Sequence, residues 1–254
     1  MDPNLKQGHF AKKQLFSKSG IIRWSHRRRF EVAVAKSSAF AGLRVLDFGC
    51  GDGTYLAMLL ESKNAPREAV GAELESKVVE QNRERFGANP NLGFVLQSDL
   101  ENPAQFGTFD VVVCMECFEH MTDPDHYLDL LHKLLRPGGK LLLSVPVETG
   151  LPVVFKQAIR RIAGWRKIGD YATTLPYTMG ELAKSVFAGA EQHIPRVRHQ
   201  MGNGGVSHCH KGFNWMNLRD RIAKRFVLDR VSASPIEWLS PHLASQAWFE
   251  AHKQ

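Results

Sequence analysis

The chain has 254 residues, a net charge of +7, 43% hydrophobic residues and 23% charged residues. This balance is typical of one globular domain and excludes an intrinsically disordered chain or a collagen-like repeat. No apolar run reaches about 18 residues, so we expect no membrane-spanning helix. The N-terminus lacks a signal-like apolar core and the four cysteines are too few for a disulfide scaffold. We therefore expect a cytoplasmic protein with reduced thiols.

The charge is distributed unevenly along the chain. Residues 1–40 and 151–230 are basic, whereas residues 41–150 are acidic. Basic surface attracts nucleic acid, anionic lipid headgroups or anionic small molecules, although charge runs are more often solvated faces. The pattern is compatible with an anionic or membrane-associated acceptor and with a peripheral location at the membrane. Nucleic acid is the weaker alternative partner.

The N-terminal segment, residues 1–40, is predicted to contain one helix. Between Ile21 and Ala39, apolar residues are interspersed with basic ones, including Arg27–Arg29, which is typical of an amphipathic helix with a basic face. Such a helix can lie on a membrane surface. We expect it instead to pack on the following domain and to cover the ligand there.

Residues 41–150 alternate between short apolar runs and helical patterns. This alternation predicts a parallel α/β sheet. The predicted strands are Leu43–Phe48, Ala69–Glu73, Asn91–Gln97, Phe109–Met115 and Lys140–Val147. The predicted helices are Thr54–Leu60, Glu75–Phe86 and Asp123–Arg136, the last one stopping before Pro137-Gly-Gly.

The last hundred residues are less regular. A capping box at Thr178–Glu181 opens a predicted helix that runs to about Phe187, and Phe213–Phe226 predicts another helix. The alternating runs Val227–Ser232 and Ser245–Ala251 predict two strands that complete the sheet, with an antiparallel edge.

These elements together predict a doubly wound, mostly parallel seven-stranded α/β fold. The predicted domain spans residues 41–254. Residues 151–207 form an insertion, a helical cap over the carboxyl edge of the sheet that shapes an acceptor pocket.

A glycine-rich loop follows the first predicted strand and is the most informative motif. Its sequence, Asp47-Phe-Gly49-Cys50-Gly51-Asp-Gly53, lets the backbone approach a ligand and opens a helix whose N-terminus favours a carboxylate. The spacing lacks the third glycine of a dinucleotide fingerprint and the final Lys-Ser/Thr of a P-loop. A dinucleotide and a nucleoside triphosphate are therefore disfavoured.

Several segments, in the same order, resemble those of the class I S-adenosylmethionine-dependent methyltransferases. Val45–Gly53 is similar to the first motif of the family. Glu73 holds the position of the acid that bonds the ribose hydroxyls, where aspartate is commoner, and Asp99 that of the acid that contacts the adenine amino group. The segments Phe109–Val113 with Glu119-His120 and Leu134–Leu141 resemble later motifs, and the ubiquinone-biosynthesis O-methyltransferases are the most similar group.

The resemblance implies S-adenosylmethionine as cofactor and S-adenosylhomocysteine as product. An acidic half of the chain suits this sulfonium cation. The cofactor-binding residues that it implies are Asp47, Gly49, Cys50, Gly51, Gly53, Glu73, Leu74, Ser98, Asp99, Leu100 and Met115. It also implies direct methyl transfer to a small-molecule, lipid or glycan acceptor, with His120, Glu119 and His210 as catalytic candidates.

The run Glu116-Cys-Phe-Glu119-His120 allows two interpretations. In the first, which we adopt, Glu119 or His120 is a general base or positions the acceptor. In the second, Glu116, Glu119, His120 and a later histidine bind Mg, Mn or Zn, as the similar run of the small-RNA 2′-O-methyltransferases implies. We assign no metal ligand from the sequence. A metal-assisted RNA 2′-O-methyltransferase and a non-catalytic partner subunit with this fold remain the alternative functions.

Overall fold

The computed structural model describes residues 8, 11–12, 15–16, 20–165, 176–200 and 205–254. The helices are α1 (Gly20–Lys36), α2 (Thr54–Leu60), α3 (Ser76–Phe86), α4 (Pro124–Leu134), α5 (Leu151–Trp165), α6 (Met179–Val186) and α7 (Trp215–Ala223). The strands are β1 (Arg44–Phe48), β2 (Glu68–Glu73), β3 (Leu92–Leu96), β4 (Phe109–Met115), β5 (Leu135–Pro146), β6 (Arg198–Gln200), β7 (Val206–His208), β8 (Val227–Ser234) and β9 (Gln246–His252).

Seven strands form the central sheet in the order β3-β2-β1-β4-β5-β9-β8. The first five pair in parallel, and their connecting helices cover the sheet. Their near-continuous apolar sequences suit strands that are buried on both faces. The predicted mostly parallel, doubly wound seven-stranded sheet is confirmed.

The last two strands complete the sheet with antiparallel pairing at this edge, as predicted. Strand β9 runs against both β5 and β8, so the reversed strand lies inside the sheet, and the edge strand β8 has the direction of the others. Trp248 and Phe249 of β9 are fully buried, whereas Asp229 and Arg230 of β8 are exposed. Burial therefore places the more apolar strand inside, which the alternation of either strand does not reveal.

Helix α4 is shorter than predicted. It ends at Leu134 because Leu135 pairs with Phe109 and already belongs to β5. The segment Pro137-Gly-Gly thus lies within a bent strand instead of ending a helix, and Gly138 adopts a left-handed φ of 71°.

The inserted segment contains helices α5 and α6 and the hairpin β6–β7, so it is not entirely helical. The capping box is present, since the Thr178 hydroxyl accepts from Glu181 N and the Glu181 carboxylate accepts from Thr178 N. The backbone N–H of His208 in β7 donates to the carbonyl of His120 over 2.9 Å. This bond ties the hairpin to the loop that follows β4.

Helix α1 packs against the sheet, as expected. Phe30, Val32 and Ala33 are buried in the core cluster that also contains Val45 of β1. Lys36, near the helix end, donates to Glu250 of β9 over 2.7 Å. The domain limits at residues 40 and 41 stay a prediction. Within the described ranges, no helix has the length and apolarity needed to cross a membrane, and a peripheral membrane association stays a prediction.

Candidate active site

The carboxyl ends of β1, β2 and β4 open into a cavity of about 1590 Å³. Ligands of open parallel sheets bind at this edge, because strand order reverses here and the loops diverge. Seven of the predicted cofactor residues line the cavity, namely Asp47, Gly49, Cys50, Gly51, Glu73, Leu74 and Met115.

The glycine loop is held against β2 by its backbone. Gly49 N and Cys50 N both donate to the carbonyl of Ala72, over 2.8 and 3.0 Å. Gly49 has a left-handed φ of 80°, and a Cβ there would lie 2.2 Å from the Cys117 sulfur. Only glycine therefore allows the loop to approach both the strand and the cavity this closely.

Glu73 fastens the same loop from the end of β2. Its carboxylate accepts hydrogen bonds from Gly51 N over 2.9 Å and from Leu74 N over 2.7 Å. Burial raises the pKa of Glu73, although these two bonds oppose the rise. Burial, and then the charge of Glu73, raise the pKa of Asp47 to about 8. The charge of Glu73 thus disfavours the charge of Asp47, and a pair of carboxyl groups of this kind is suited to a cationic ligand.

Four predicted cofactor residues do not line the cavity. Gly53 precedes α2 and faces the Phe94 ring, and Leu100 is buried in the core. The Asp99 carboxylate accepts from Leu96 N, within its own turn. Gln97 of the same segment lines the cavity instead. The cofactor assignments of Gly53, Ser98, Asp99 and Leu100 stay predictions, and no signal in the sequence indicated Gln97.

The three catalytic candidates also line this cavity and lie close together. Glu119 Oε1 lies 3.9 Å from His120 Nε2 and 3.8 Å from His210 Nδ1, and the two imidazole rings are 4.7 Å apart. Glu119 is fully buried, while both histidines are partly exposed. We call these three residues the Glu–His–His cluster.

The protonation of His120 Nδ1 follows from its partner. Its Nδ1 lies 2.9 Å from the carbonyl oxygen of His208. A carbonyl only accepts, so Nδ1 carries a proton, and Nε2 is the ring nitrogen on the side of Glu119. The loop after β4 and the hairpin therefore jointly orient this imidazole.

Glu119 and His210 both favour their uncharged forms. Complete burial, and then the charge of Glu116, raise the pKa of Glu119 well above its ordinary value. Burial, and then the nearby His120, lower the pKa of His210 to about 4. Neither oxygen of Glu119 nor His210 Nδ1 has a hydrogen-bond partner within the described part of the chain.

Further cavity residues were missed by sequence reasoning. Glu148 follows β5, is fully buried, and pairs with Lys156 over 3.1 Å and Arg160 over 3.0 Å on α5. Arg29 of α1 lies 3.7 Å from Glu116, whose own φ of 55° marks a strained turn after β4. The spacing of Lys156 and Arg160 on one helix face was the available signal, but helix α5 was not predicted.

The fold and the site define a class of enzyme, the Rossmann-like S-adenosylmethionine-dependent methyltransferases. Residues 21–185 match the profile of a family described as a methyltransferase domain, and the chain belongs to this family. S-adenosylmethionine is its cofactor.

The similarity to curated proteins is partial. The ubiquinone biosynthesis O-methyltransferase of Xanthomonas oryzae is 36% identical over 129 residues, which are 48% of this chain and 52% of that protein. An uncharacterized protein of Synechococcus is 32% identical over 156 residues, 59% of this chain and 36% of that protein. The chain spans about half the length of the first of these relatives.

Solved structures share the fold at low identity. A protein of Pyrococcus horikoshii has a TM-score of 0.60 and 12% identity, with full coverage of both chains. A SAM-dependent methyltransferase of Aquifex aeolicus has a TM-score of 0.56 and 12% identity, with 89% of each chain covered. These structures support the fold alone.

Replacing Glu73 with glutamine should weaken S-adenosylmethionine binding about tenfold to a hundredfold, because a hydrogen bond to a charged group contributes about 1.5–3 kcal/mol. Calorimetric titration with the cofactor measures the change. The matched control is Glu80→Gln, an exposed acid on α3, which should alter the affinity less than twofold. An unchanged affinity in Glu73→Gln would remove this carboxylate from the cofactor site.

Proposed function

We propose that this enzyme transfers the methyl group of S-adenosylmethionine to a hydroxyl oxygen of a small-molecule acceptor, including lipid and glycan alcohols. The observation that carries the proposal is the placement of His120 in the cavity lining, with Nδ1 bonded to the His208 carbonyl and Nε2 near Glu119. An oxygen acceptor must lose a proton during transfer, whereas the displacement itself needs only alignment and exclusion of water.

The reaction balances as a single displacement. The acceptor oxygen attacks the methyl carbon, the carbon–sulfur bond breaks, and its electron pair remains on sulfur to give S-adenosylhomocysteine. His120 Nε2 takes the hydroxyl proton. Glu119 Oε1 lies 3.9 Å from that nitrogen and 3.8 Å from His210 Nδ1. Glu119 and His210 position the acceptor oxygen beside Nε2.

The Xanthomonas relative is named as an O-methyltransferase, which supports an oxygen acceptor. Neither alternative function, methylation of RNA or a non-catalytic role, is favoured by these similarities. That the acceptor is anionic stays a prediction. Lys156 and Arg160 of the cap line the cavity, but both pair with Glu148, so their charge is already compensated.

His120→Gln should lower kcat about a hundredfold or more, the usual contribution of general-base catalysis, and leave cofactor affinity within about twofold. The assay follows labelled methyl transfer into small-molecule, lipid and glycan fractions of a dialysed extract, and tandem mass spectrometry of the labelled product identifies the methylated atom. His126→Gln is the control, since His126 is exposed and outside the cavity lining. Label on nitrogen, or an undiminished kcat in His120→Gln, would contradict the proposal.

A further inference from the structure

We infer that Gln246 selects the acceptor, by donating a hydrogen bond from its side-chain amide to a second oxygen of a polyhydroxylated acceptor such as a sugar ring. Gln246 is the first residue of β9, lies between Ser234 of β8 and Pro146 of β5, and lines the cavity. The inference rests on the proposed function, because it names the class of alcohol that receives the methyl group.

A buried chain of hydrogen bonds fixes the orientation of the Gln246 amide. The Trp248 indole donates from Nε1 to the Ser234 hydroxyl oxygen over 3.0 Å, and this hydroxyl donates to Gln246 Oε1 over 2.7 Å. Ser234 and Trp248 are both fully buried. An indole N–H can only donate, and a buried hydroxyl proton without an acceptor would be costly. The hydroxyl proton is therefore directed at the oxygen of the amide.

This arrangement leaves Gln246 as a donor on the cavity wall. Its amide oxygen is engaged by Ser234, and its NH₂ group donates to no residue in the part of the chain that the structure describes. An NH₂ group pairs with an oxygen of a ligand. Because Ser234 and Trp248 hold the amide in place before an acceptor arrives, binding costs less side-chain entropy.

The wall around Gln246 is polar. We call it the acceptor wall, and its members are Pro146, Glu148, Lys156, Arg160, Ser245 and Gln246. Lys156 joins its parts, because Nζ lies 3.1 Å from both Glu148 Oε1 and the carbonyl oxygen of Ser245. The charges of Glu148, Arg160 and Lys156 also act on the pKa of His210, so the acceptor wall adjoins the Glu–His–His cluster.

A wall of this composition favours an acceptor with several hydroxyl groups. Each hydroxyl both donates and accepts, so a sugar ring can bond the Gln246 amide and the carboxylate–cation pairs of the cap in one pose. A prenyl or alkyl chain would cover these polar groups without replacing their hydrogen bonds to water, which costs free energy. Pro146 is the single apolar member of the acceptor wall.

Gln246→Glu is the most direct test, because glutamate keeps an oxygen that accepts from Ser234 but lacks the NH₂ donors. The apparent KM for the acceptor should rise at least about tenfold with kcat within about threefold, since a contact made equally in the ground and transition states affects KM alone. Gln254→Glu, at an exposed position outside the cavity lining, is the matched control and should leave both constants unchanged. Urea unfolding and S-adenosylmethionine titration verify that Gln246→Glu is folded and binds the cofactor like the parent.

The acceptor is supplied as serial dilutions of a hot-water extract and of a chloroform–methanol extract, with labelled S-adenosylmethionine. Acid hydrolysis of the labelled product should release an O-methyl sugar or polyol, identified by mass spectrometry. Release from the product of the hot-water extract indicates a free saccharide, and release from that of the chloroform–methanol extract indicates a glycolipid. Both results support the inference, whereas label on an aromatic or a plain alkyl hydroxyl would overturn it.

Ser234→Ala tests the orienting chain separately. This variant keeps the NH₂ group of Gln246 but removes the hydroxyl that holds the amide, so the apparent KM should rise severalfold. Gln246→Glu should then add less in the Ser234→Ala background than in the parent, because the two residues act as one unit. Independent, additive effects on KM would contradict the orienting role of Ser234.

The inference and the proposed function can fail separately. A parent-like KM in Gln246→Glu, together with a low kcat in His120→Gln, would refute the role of Gln246 while the oxygen methyltransferase assignment stands. Label on nitrogen would refute the proposed function itself.

Discussion

Replacing Glu148 with glutamine is expected to lower the free energy of unfolding by about 3–5 kcal/mol. Glu148 is fully buried, and its two oxygens accept from Lys156 and from both terminal nitrogens of Arg160 over 3.0–3.2 Å. Glutamine keeps the size of the side chain but leaves two partly buried cations without their counter-charge. This uncompensated charge, more than the lost attraction, is the source of the cost.

Urea unfolding at neutral pH measures the change, and Glu31→Gln is the matched control. Glu31 pairs with Arg27 and Arg28 on the exposed face of α1, so its replacement should cost less than about 1 kcal/mol. Equal losses in the two variants would contradict the argument. The triple variant Glu148→Leu, Lys156→Met, Arg160→Met should regain most of the stability, since a complete apolar replacement leaves no charge buried alone.

The pH dependence gives an independent readout. Burial alone would raise the pKa of Glu148, but Lys156 and Arg160 outweigh it and hold the pKa below its ordinary value of 4.5. A carboxyl group whose folded pKa is depressed stabilises the fold above its unfolded pKa, and this stability is lost as the pH falls through the folded pKa. The difference between the parent and Glu148→Gln should therefore be full at neutral pH and shrink below about pH 4.5.

Gly49→Ala should cost about 2–5 kcal/mol and abolish measurable cofactor binding. A left-handed backbone costs an alanine about 1–2 kcal/mol, and an overpacked contact adds about 1–3 kcal/mol. The added Cβ would lie 2.2 Å from the Cys117 sulfur, on the wall of the cofactor cavity. Relief of that contact must displace the loop or the turn after β4, and both belong to the site.

Two control variants, both measured by urea unfolding, separate the cost of the left-handed backbone from the cost of the contact with the sulfur. Gly42→Ala has a similar φ of 72° with nothing within 4 Å of the added Cβ, so it should show the backbone cost alone. In a Cys117→Ala background, Gly49→Ala should cost only as much as Gly42→Ala does, because the sulfur is gone. Retention of the full cost in that background would contradict the contact as its cause.

The amino-acid sequence was sufficient for the first four strands, the second half of β5 and the glycine loop, whereas the start of β5 at Leu135 was missed. Their signals are local, since apolar runs, turn glycines and the acid at Glu73 all lie within short windows. The end of α4 was predicted two residues too late, because the decisive interaction is the pairing of Leu135 with Phe109, more than twenty residues away. Helix boundaries depend on such partners, whereas helix existence depends mainly on periodicity.

The features of the candidate site also fall into two groups, those that the sequence indicated and those that depend on contacts between distant segments. The sequence by itself determined the family, the cofactor and the strand ends at which a cofactor site was predicted. It did so because motif residues that are adjacent in the chain remain adjacent in space. Only the tertiary structure decided that β9 enters the sheet beside β5, that Glu148 receives the cations of α5, and that His208 and His210 reach His120. These contacts join distant segments, and burial and hydrogen bonding select them only when the whole chain has folded.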